Sequence, residues 1–219
     1  MQGYLSRFHR VYLVDDHDIV RRGVRDLLIA ARDIDVVGDS GSARAAVPAI
    51  VRLEPDVMVL DLHLQDGSGI EVCRAVRSVK PSICGLLLTA SGDDEALAAA
   101  VLAGAAGYVG KVSRSSTVMD AIRSVQPGTS LMDPDSLERA SRLLRSLIEA
   151  LTPPVTDEER LILGLVIEGQ TDSQINQALA NDGRVDADVA GLIARVTQVL
   201  LGQAAVPGHP GTGKHRRPD

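Results

Sequence analysis

Five polar residues in this sequence stand directly after short apolar runs. Asp15 and Asp16 follow Val-Tyr-Leu-Val, Asp61 follows Val-Met-Val-Leu, Thr89 follows Gly-Leu-Leu-Leu, and Lys111 follows Gly-Tyr-Val-Gly. Phosphoryl transfer to a carboxylate needs a nucleophile and also cationic groups that offset the charge on the phosphoryl oxygens. Three carboxylates, one hydroxyl and one ammonium group could perform that chemistry if the fold brings them together.

The apolar runs themselves predict how these side chains are positioned. Short apolar runs that are bounded by turn residues and separated by amphipathic stretches of helix length are typical of buried parallel strands. This alternation occurs five times between Val11 and about Gln126, which predicts a doubly wound α/β domain. Ligands of such sheets lie in the crevice beyond the carboxyl ends of the strands. The five polar side chains should therefore meet at one edge of the sheet.

Each member of this cluster has a predicted role. Three neighbouring carboxylates repel each other unless a divalent cation neutralises them, and an all-oxygen site with few protein ligands favours Mg2+. Asp61 is central in the crevice and is the candidate nucleophile, while Asp15 and Asp16 would hold the metal. Thr89 could bond a phosphoryl oxygen, and Lys111 could pair with the carboxylate or with the phosphoryl group.

Composition and charge limit the possible functions. The chain has 219 residues and a net charge of −6, so binding to nucleic acid would need a local basic surface. Cys73 and Cys84 lie in apolar segments and are expected to be free thiols in a reducing cytosol. The first ten residues contain no apolar signal core, and no run reaches membrane-spanning length. We therefore expect a cytoplasmic protein that does not associate with membranes.

The C-terminal third predicts separate helical elements. Residues 134–151 form an amphipathic helix, Pro153-Pro154 mark a boundary, and Thr156 begins a helix with a capping box. The tail is rich in Gly, Pro, His and Arg and is expected to be disordered. The predicted organisation is an α/β phosphoacceptor domain at 10–126, a linker with an amphipathic helix at 127–154, a helical domain at 155–202 and a tail at 203–219.

Four motifs together resemble the receiver domain of bacterial two-component response regulators. They are Leu-Val-Asp-Asp-His-Asp (13–18), Val-Leu-Asp-Leu-His-Leu (59–64), Leu-Leu-Thr-Ala (87–90) and Gly-Ala-Ala-Gly-Tyr-Val-Gly-Lys (104–111). The resemblance implies a flavodoxin-like fold with a five-stranded parallel sheet, and a sensor histidine kinase that donates a phosphoryl group to Asp61. It also implies that Asp15, Asp16, Asp61 and the main-chain carbonyl of His63 bind Mg2+.

Tyr108 matches the switch aromatic of that family. The resemblance implies that its ring moves together with the Thr89 hydroxyl on phosphorylation. Without the family, a half-buried strand aromatic explains Tyr108 equally well.

Residues 155–160 and 163–175 resemble the start of the LuxR-type helix-turn-helix domain. In that family the helix corresponding to 188–201 enters the major groove of DNA and offers basic and polar side chains there. Arg195 is the only basic residue of this segment. Between 155 and 206, three basic residues stand against eight acidic ones, a net charge of −5. This is the wrong sign for a domain that approaches a polyanion.

Two functional hypotheses follow. In the first, phosphorylation drives homodimerisation and promoter binding, with Arg184 and Arg195 as the DNA contacts. In the second, the receiver signals through a divergent output domain that binds another protein. The Ala-rich helix at 95–103 and the apolar stripe of 134–151 are candidate dimer surfaces, or they pack on their own domain.

An enzymatic function fits the sequence less well. Aspartyl phosphatases of the haloacid dehalogenase type also use an Asp nucleophile at a strand end, but they need a second Asp two residues later as the acid and base. That position is His63 here, and the Asp15-Asp16 pair would be left unexplained. We therefore do not expect an enzyme.

Overall fold

The computed structural model describes residues 9–90, 93–111, 113–151, 153–182 and 188–204. Within them, the strands are β1 His9–Val14, β2 Ile34–Ser40, β3 Val57–Asp61, β4 His63–Leu64, β5 Gly67–Ser68, β6 Cys84–Thr89 and β7 Gly107–Gly110. The helices are α1 Asp18–Ile29, α2 Ala43–Leu53, α3 Gly69–Val79, α4 Asp93–Ala103, α5 Ser115–Ser124, α6 Pro134–Ala150, α7 Asp157–Ile167, α8 Asp172–Asn181 and α9 Val189–Ala204.

The main sheet has five parallel strands in the order β2-β1-β3-β6-β7. The order reverses direction after β1, which creates the crevice in which flavodoxin-like folds bind their ligands. The predicted doubly wound, flavodoxin-like sheet is confirmed. A short antiparallel hairpin of β4 and β5 connects β3 to α3.

Alternating side chains along each strand supply two apolar layers. On β1, Val11 and Leu13 pack with Leu28 of α1 and Ile122 of α5, on one face of the sheet. Tyr12 and Val14 point the other way, toward α2, α3 and α4. Because both faces are covered by helices, the strands are apolar along their whole length, and only their ends carry polar groups.

The predicted capping box at Thr156 is confirmed. The Glu159 main-chain N–H donates to Thr156 Oγ1 at 3.1 Å, and the Thr156 N–H donates to the Glu159 carboxylate at 2.7 Å. Ser68 forms a further box at the start of α3, where its N–H donates to Glu71 Oε2 at 2.8 Å. This cap fixes the point at which the loop after β3 turns into a helix.

From Ala96 to Ala103, helix α4 is apolar around its whole circumference, and every residue of this part is buried. A helix of this kind needs neighbours on all sides. It lies under the sheet and α3 on one side and packs against α6 on the other. The two candidate dimer surfaces therefore cover each other within one chain.

The helices α7, α8 and α9 pack against the receiver-like part of the chain. Their apolar residues, including Val196 of α9, join the same core as α3, α4 and α6. Arg74 of α3 is 5 % exposed, and its guanidinium donates to Asp172 of α8 at 2.8 Å and to the Leu102 carbonyl at 3.0 Å. Since the core is continuous, the domain boundaries drawn from sequence stay a prediction.

Helix α9 continues to Ala204, two residues beyond the predicted end of the helical domain. The rest of the predicted tail and Arg184 lie outside the described residues. No helix in the described ranges combines the length and the apolar character that crossing a bilayer requires.

Candidate phosphoacceptor site

The carboxyl ends of the central strands bring the predicted acidic residues together. Oxygen atoms of Asp15, Asp16 and Asp61, and one nitrogen of His17, all lie within 4.8 Å of one another. Asp15 is fully buried, and Asp61 is 2 % exposed. The geometry follows from the sheet, because β1 and β3 are neighbours and both end at this edge.

Lys111 bridges two of these carboxylates. Its Nζ lies 2.6 Å from Asp61 Oδ2 and 2.9 Å from Asp15 Oδ2. Burial by itself would lower the pKa of Lys111, but the hydrogen bond to Asp61 and the ion pair with Asp15 outweigh burial and raise the pKa above its ordinary value. The ammonium group is therefore charged while it faces the acidic cluster.

The contact with Lys111 compensates only part of the negative charge of Asp61. Burial raises the pKa of the Asp61 carboxyl, and the hydrogen bond from Lys111 offsets only part of that effect. A divalent cation at the cluster would lower the free energy of the ionised form, since a bound metal is the largest local charge in such a site.

Two oxygen atoms of the cluster fit a bound cation. Asp15 Oδ2 and Asp16 Oδ1 are buried and accept no hydrogen bond from any described residue. The ion pair from Lys111 to Asp15 Oδ2 is close at 2.9 Å but does not have hydrogen-bond geometry. Buried carboxylate oxygens without donors are costly, and coordination of a cation would satisfy them.

Thr89 and Tyr108 occupy the positions expected from their strands. Thr89 ends β6 and is buried, and its carbonyl accepts a hydrogen bond from the Lys111 main chain at 2.8 Å. Tyr108 lies in β7, is half-buried, and packs on the side of the sheet that carries α4. The switch role of Tyr108 stays a prediction.

Two supporting residues were not anticipated from the sequence. Arg21 donates to the Asp15 carbonyl at 2.6 Å and to Asp39 at 3.2 Å, which ties the end of β1 to the end of β2. Asp66 accepts from Ser42 Oγ at 2.7 Å and from the main chain at the start of α2, so the loop that carries His63 is anchored. The Ser42 hydrogen bond holds the pKa of Asp66 below its usual value.

The His63 main-chain N–H donates to Asp61 Oδ1 at 3.3 Å, so this loop folds back over the candidate nucleophile. Sequence offers little signal for the contacts of Arg21 and Asp66, because both depend on which elements become neighbours. The short helix-capping motif of Ser42 is the one local clue.

The candidate DNA contacts lie elsewhere. Arg195 of α9 pairs with Glu159 of α7 at 2.5 Å and donates to the Pro153 carbonyl at 2.8 Å. Its charge is thus engaged within the chain, while Arg184 falls in a segment that the structure does not describe.

Fold and site together define a receiver of the response regulator type. The family model described as the response regulator receiver domain matches residues 11–123, more than half of the chain. The chain therefore belongs to the response regulator family.

Relatives extend the match beyond the receiver. The chain is 41% identical over 200 residues to the DNA-binding transcriptional activator DevR/DosR of Mycobacterium tuberculosis, which covers 90% of this chain and 92% of that protein. It is 31% identical to the response regulator protein VraR of Staphylococcus aureus, over 77% of this chain and 80% of VraR. A crystal structure of a LuxR-family two-component response regulator from Aurantimonas sp. SI85-9A1 is similar with a TM-score of 0.55 and 32% identity, covering 62% of this chain and 97% of that one.

Gly69→Ala should disturb the acceptor loop. A Cβ at Gly69 would overlap the Asp61 carbonyl oxygen, so the start of α3 and the loop must move apart. We expect a loss of about 1–3 kcal/mol in the free energy of unfolding, as for other overpacked positions. Urea denaturation measures this loss, and phosphoryl labelling should fall with it.

Gly23→Ala is the matched control. Gly23 lies inside α1, where an added Cβ meets nothing within 4 Å. The same substitution should there stabilise the protein by about 0.5–1 kcal/mol, because alanine is the better helix former. Equal destabilisation by both substitutions would contradict the proposed close approach at Gly69.

Proposed function

We propose that this chain is a two-component response regulator in which Asp61 accepts a phosphoryl group from a sensor histidine kinase, and that its helical C-terminal part regulates transcription. The observation that carries the first half is the Lys111 ammonium group, which bridges Asp61 and Asp15 at 2.6 and 2.9 Å. A nucleophilic carboxylate beside a fixed cation and a cation-binding cluster is the arrangement that phosphoryl transfer needs.

In the proposed step, an Asp61 carboxylate oxygen attacks the phosphorus of the kinase phosphohistidine. The new phosphorus–oxygen bond forms an acyl phosphate, the phosphorus–nitrogen bond breaks, and the departing imidazole takes up a proton. Lys111 offsets the charge of the transferred group, and the Thr89 hydroxyl donates a hydrogen bond to one of its oxygens. Tyr108 would follow the Thr89 hydroxyl and report the change to the α4 side of the sheet.

Asp15, Asp16, Asp61 and the His63 carbonyl would hold Mg2+ in this proposal. When bound, the cation neutralises charge on the phosphoryl oxygens. The chain's own contribution is to keep the carboxylates in place: Arg21 holds the Asp15 main chain.

The proposed output is binding to promoter DNA. Its support is the similarity to DevR/DosR over 90% of the chain, because that relative is a DNA-binding transcriptional activator. Helices α7, α8 and α9 supply the three-helix arrangement of a helix-turn-helix domain.

A second candidate is an output that acts through protein contacts. The net charge of −5 between 155 and 206 favours it, and so does the engagement of Arg195 by Glu159. A domain with a net negative charge gains little from phosphate contacts, which supply most non-specific affinity for DNA.

A mobility-shift titration separates the two candidates. Protein with and without a small phosphodonor and Mg2+ is titrated against promoter fragments and random duplex at low and moderate salt. The transcriptional proposal expects the phosphorylated form to prefer promoter fragments. If neither form binds them better than random duplex, the DNA-binding output is overturned and the protein-contact output is favoured.

The homodimer expected on phosphorylation is part of the same proposal, as is a cytoplasmic location. Since α4 and α6 cover each other, a dimer formed through either helix requires them to separate. Sedimentation of the protein with and without phosphodonor tests this, and a monomer under both conditions would contradict it.

A further inference from the structure

His17 lies at the edge of the acidic cluster, directly after Asp15 and Asp16. It is the residue that precedes α1, and its main-chain N–H donates to Asp15 Oδ1 at 2.8 Å. This hydrogen bond anchors His17 to the floor of the site. The side chain is 65% exposed, yet its Nδ1 atom faces inward, toward the carboxylates.

The distances from His17 Nδ1 resemble those between ligands of one ion. They are 2.7 Å to Asp16 Oδ1, 3.4 Å to Asp15 Oδ1 and 3.8 Å to Asp61 Oδ2. Around an octahedral ion with bonds of about 2.1 Å, adjacent ligand atoms lie roughly 3.0 Å apart and opposite ones roughly 4.2 Å apart. Each of the three distances lies within about 0.4 Å of one of these two values.

The shortest of these contacts is not a hydrogen bond. The Asp16 side chain is 90% buried. Its Oδ1 atom lies 2.7 Å from His17 Nδ1 but accepts no hydrogen bond within the described part of the chain. The oxygen and the nitrogen therefore stand side by side. A shared cation would satisfy both.

We propose that His17 Nδ1 is a further ligand when the Mg2+ site of Asp15, Asp16 and Asp61 holds a divalent first-row transition-metal ion such as Mn2+, and that it raises the affinity of the site for such ions. This inference rests on the metal site of the proposed function. Mg2+ is a hard ion that favours oxygen ligands, whereas an imidazole nitrogen adds affinity for transition-metal ions. His17 thus strengthens the binding of Mn2+ more than that of Mg2+.

The test uses the full chain with Mn2+ and Mg2+ as probes. Pulsed electron paramagnetic resonance of bound Mn2+ reports a directly coordinated nitrogen, and calorimetric titration gives the affinity for each ion. His17→Gln is compared with His9→Gln, since His9 lies at the opposite end of β1. Wild-type protein with 15N-labelled histidine gives a readout that needs no variant.

The proposal expects nitrogen coupling in the wild type and in His9→Gln, a change of the coupling on 15N labelling, and its loss in His17→Gln. The affinity for Mn2+ should fall about tenfold or more in His17→Gln. The affinity for Mg2+ should change less than about twofold, because its ligands are oxygens. Thermal denaturation should show that His17→Gln is folded.

Other results overturn the proposal in distinguishable ways. Mn2+ binding without nitrogen coupling, coupling that persists in His17→Gln, or equal losses of affinity for both ions would remove His17 from the site and leave the metal site standing. Failure of the wild type to bind either ion would overturn the metal site of the proposed function itself.

Discussion

Asp61→Asn is expected to abolish labelling by a small phosphodonor such as acetyl phosphate. The substitution keeps the shape of the side chain but replaces the carboxylate by an amide, which is a poor nucleophile toward phosphorus. Labelling should fall to the background of the assay. Phosphate-affinity electrophoresis or mass spectrometry of the intact protein measures it.

The matched control is Asp120→Asn, the same change at an exposed position of α5, with a side chain that is 69% exposed. Labelling of this variant should equal that of the wild type. Asp61→Asn should remain folded, because burial already disfavours its charge and raises its pKa. Label that survives in Asp61→Asn would move the nucleophile to Asp15 or Asp16.

Arg74→Met is expected to release the C-terminal helices from the receiver. Arg74 is buried on α3 and connects Asp172 and the Gln170 carbonyl, at the start of α8, to the end of α4. Removal of one partner of a buried ion pair leaves the charge of the other partner uncompensated. This should lower the free energy of unfolding by about 3 kcal/mol or more. Hydrogen exchange should rise in α8 and α9 first, while β1 and β3 remain protected.

Arg123→Met is the control for that variant. Arg123 pairs with Asp33 within the receiver, but both side chains are more than one third exposed. Its loss should change the free energy of unfolding by less than about 1 kcal/mol. If Arg74→Met lowers the free energy of unfolding no more than Arg123→Met does, the docking of the helices does not depend on the buried ion pair.

The double variant Arg74→Met/Asp172→Leu should recover part of the lost free energy of unfolding, because no buried charge is then left without a partner.

The mobility shift gives a functional readout of the same variants. Helix α9 packs against α3, α4 and α6, so release should raise the affinity for duplex DNA. An unchanged affinity would show that the docked face of α9 is not a face that DNA needs.

The strand ends were predictable because local patterns determine them. A buried parallel strand must be apolar throughout, so the first polar residue after it marks the end of the strand. Parallel strands end at the same edge, which is why the sequence alone predicts that Asp15, Asp61 and Lys111 meet. The capping box of Thr156 was predictable for a similar reason, since its partners are three residues apart.

Contacts between distant elements were not predictable in this way. Arg21 and Asp66 look like ordinary surface residues in the sequence, and Arg74 looks like the polar face of an amphipathic helix. Ser42 is 24 residues away from Asp66 in the sequence, and Asp172 is 98 residues away from Arg74. Which charge becomes buried depends on the packing of whole helices.

Local sequence patterns are sufficient to predict the doubly wound receiver and the polar residues that meet at its strand ends, because strand periodicity and strand-end chemistry are local properties. Other arrangements follow from tertiary packing. It turned His17 inward over the carboxylates, engaged Arg195 with Glu159, and packed α9 against the receiver. These arrangements depend on the free energy gained when several elements bury surface against one another, so no single stretch of sequence predicts them.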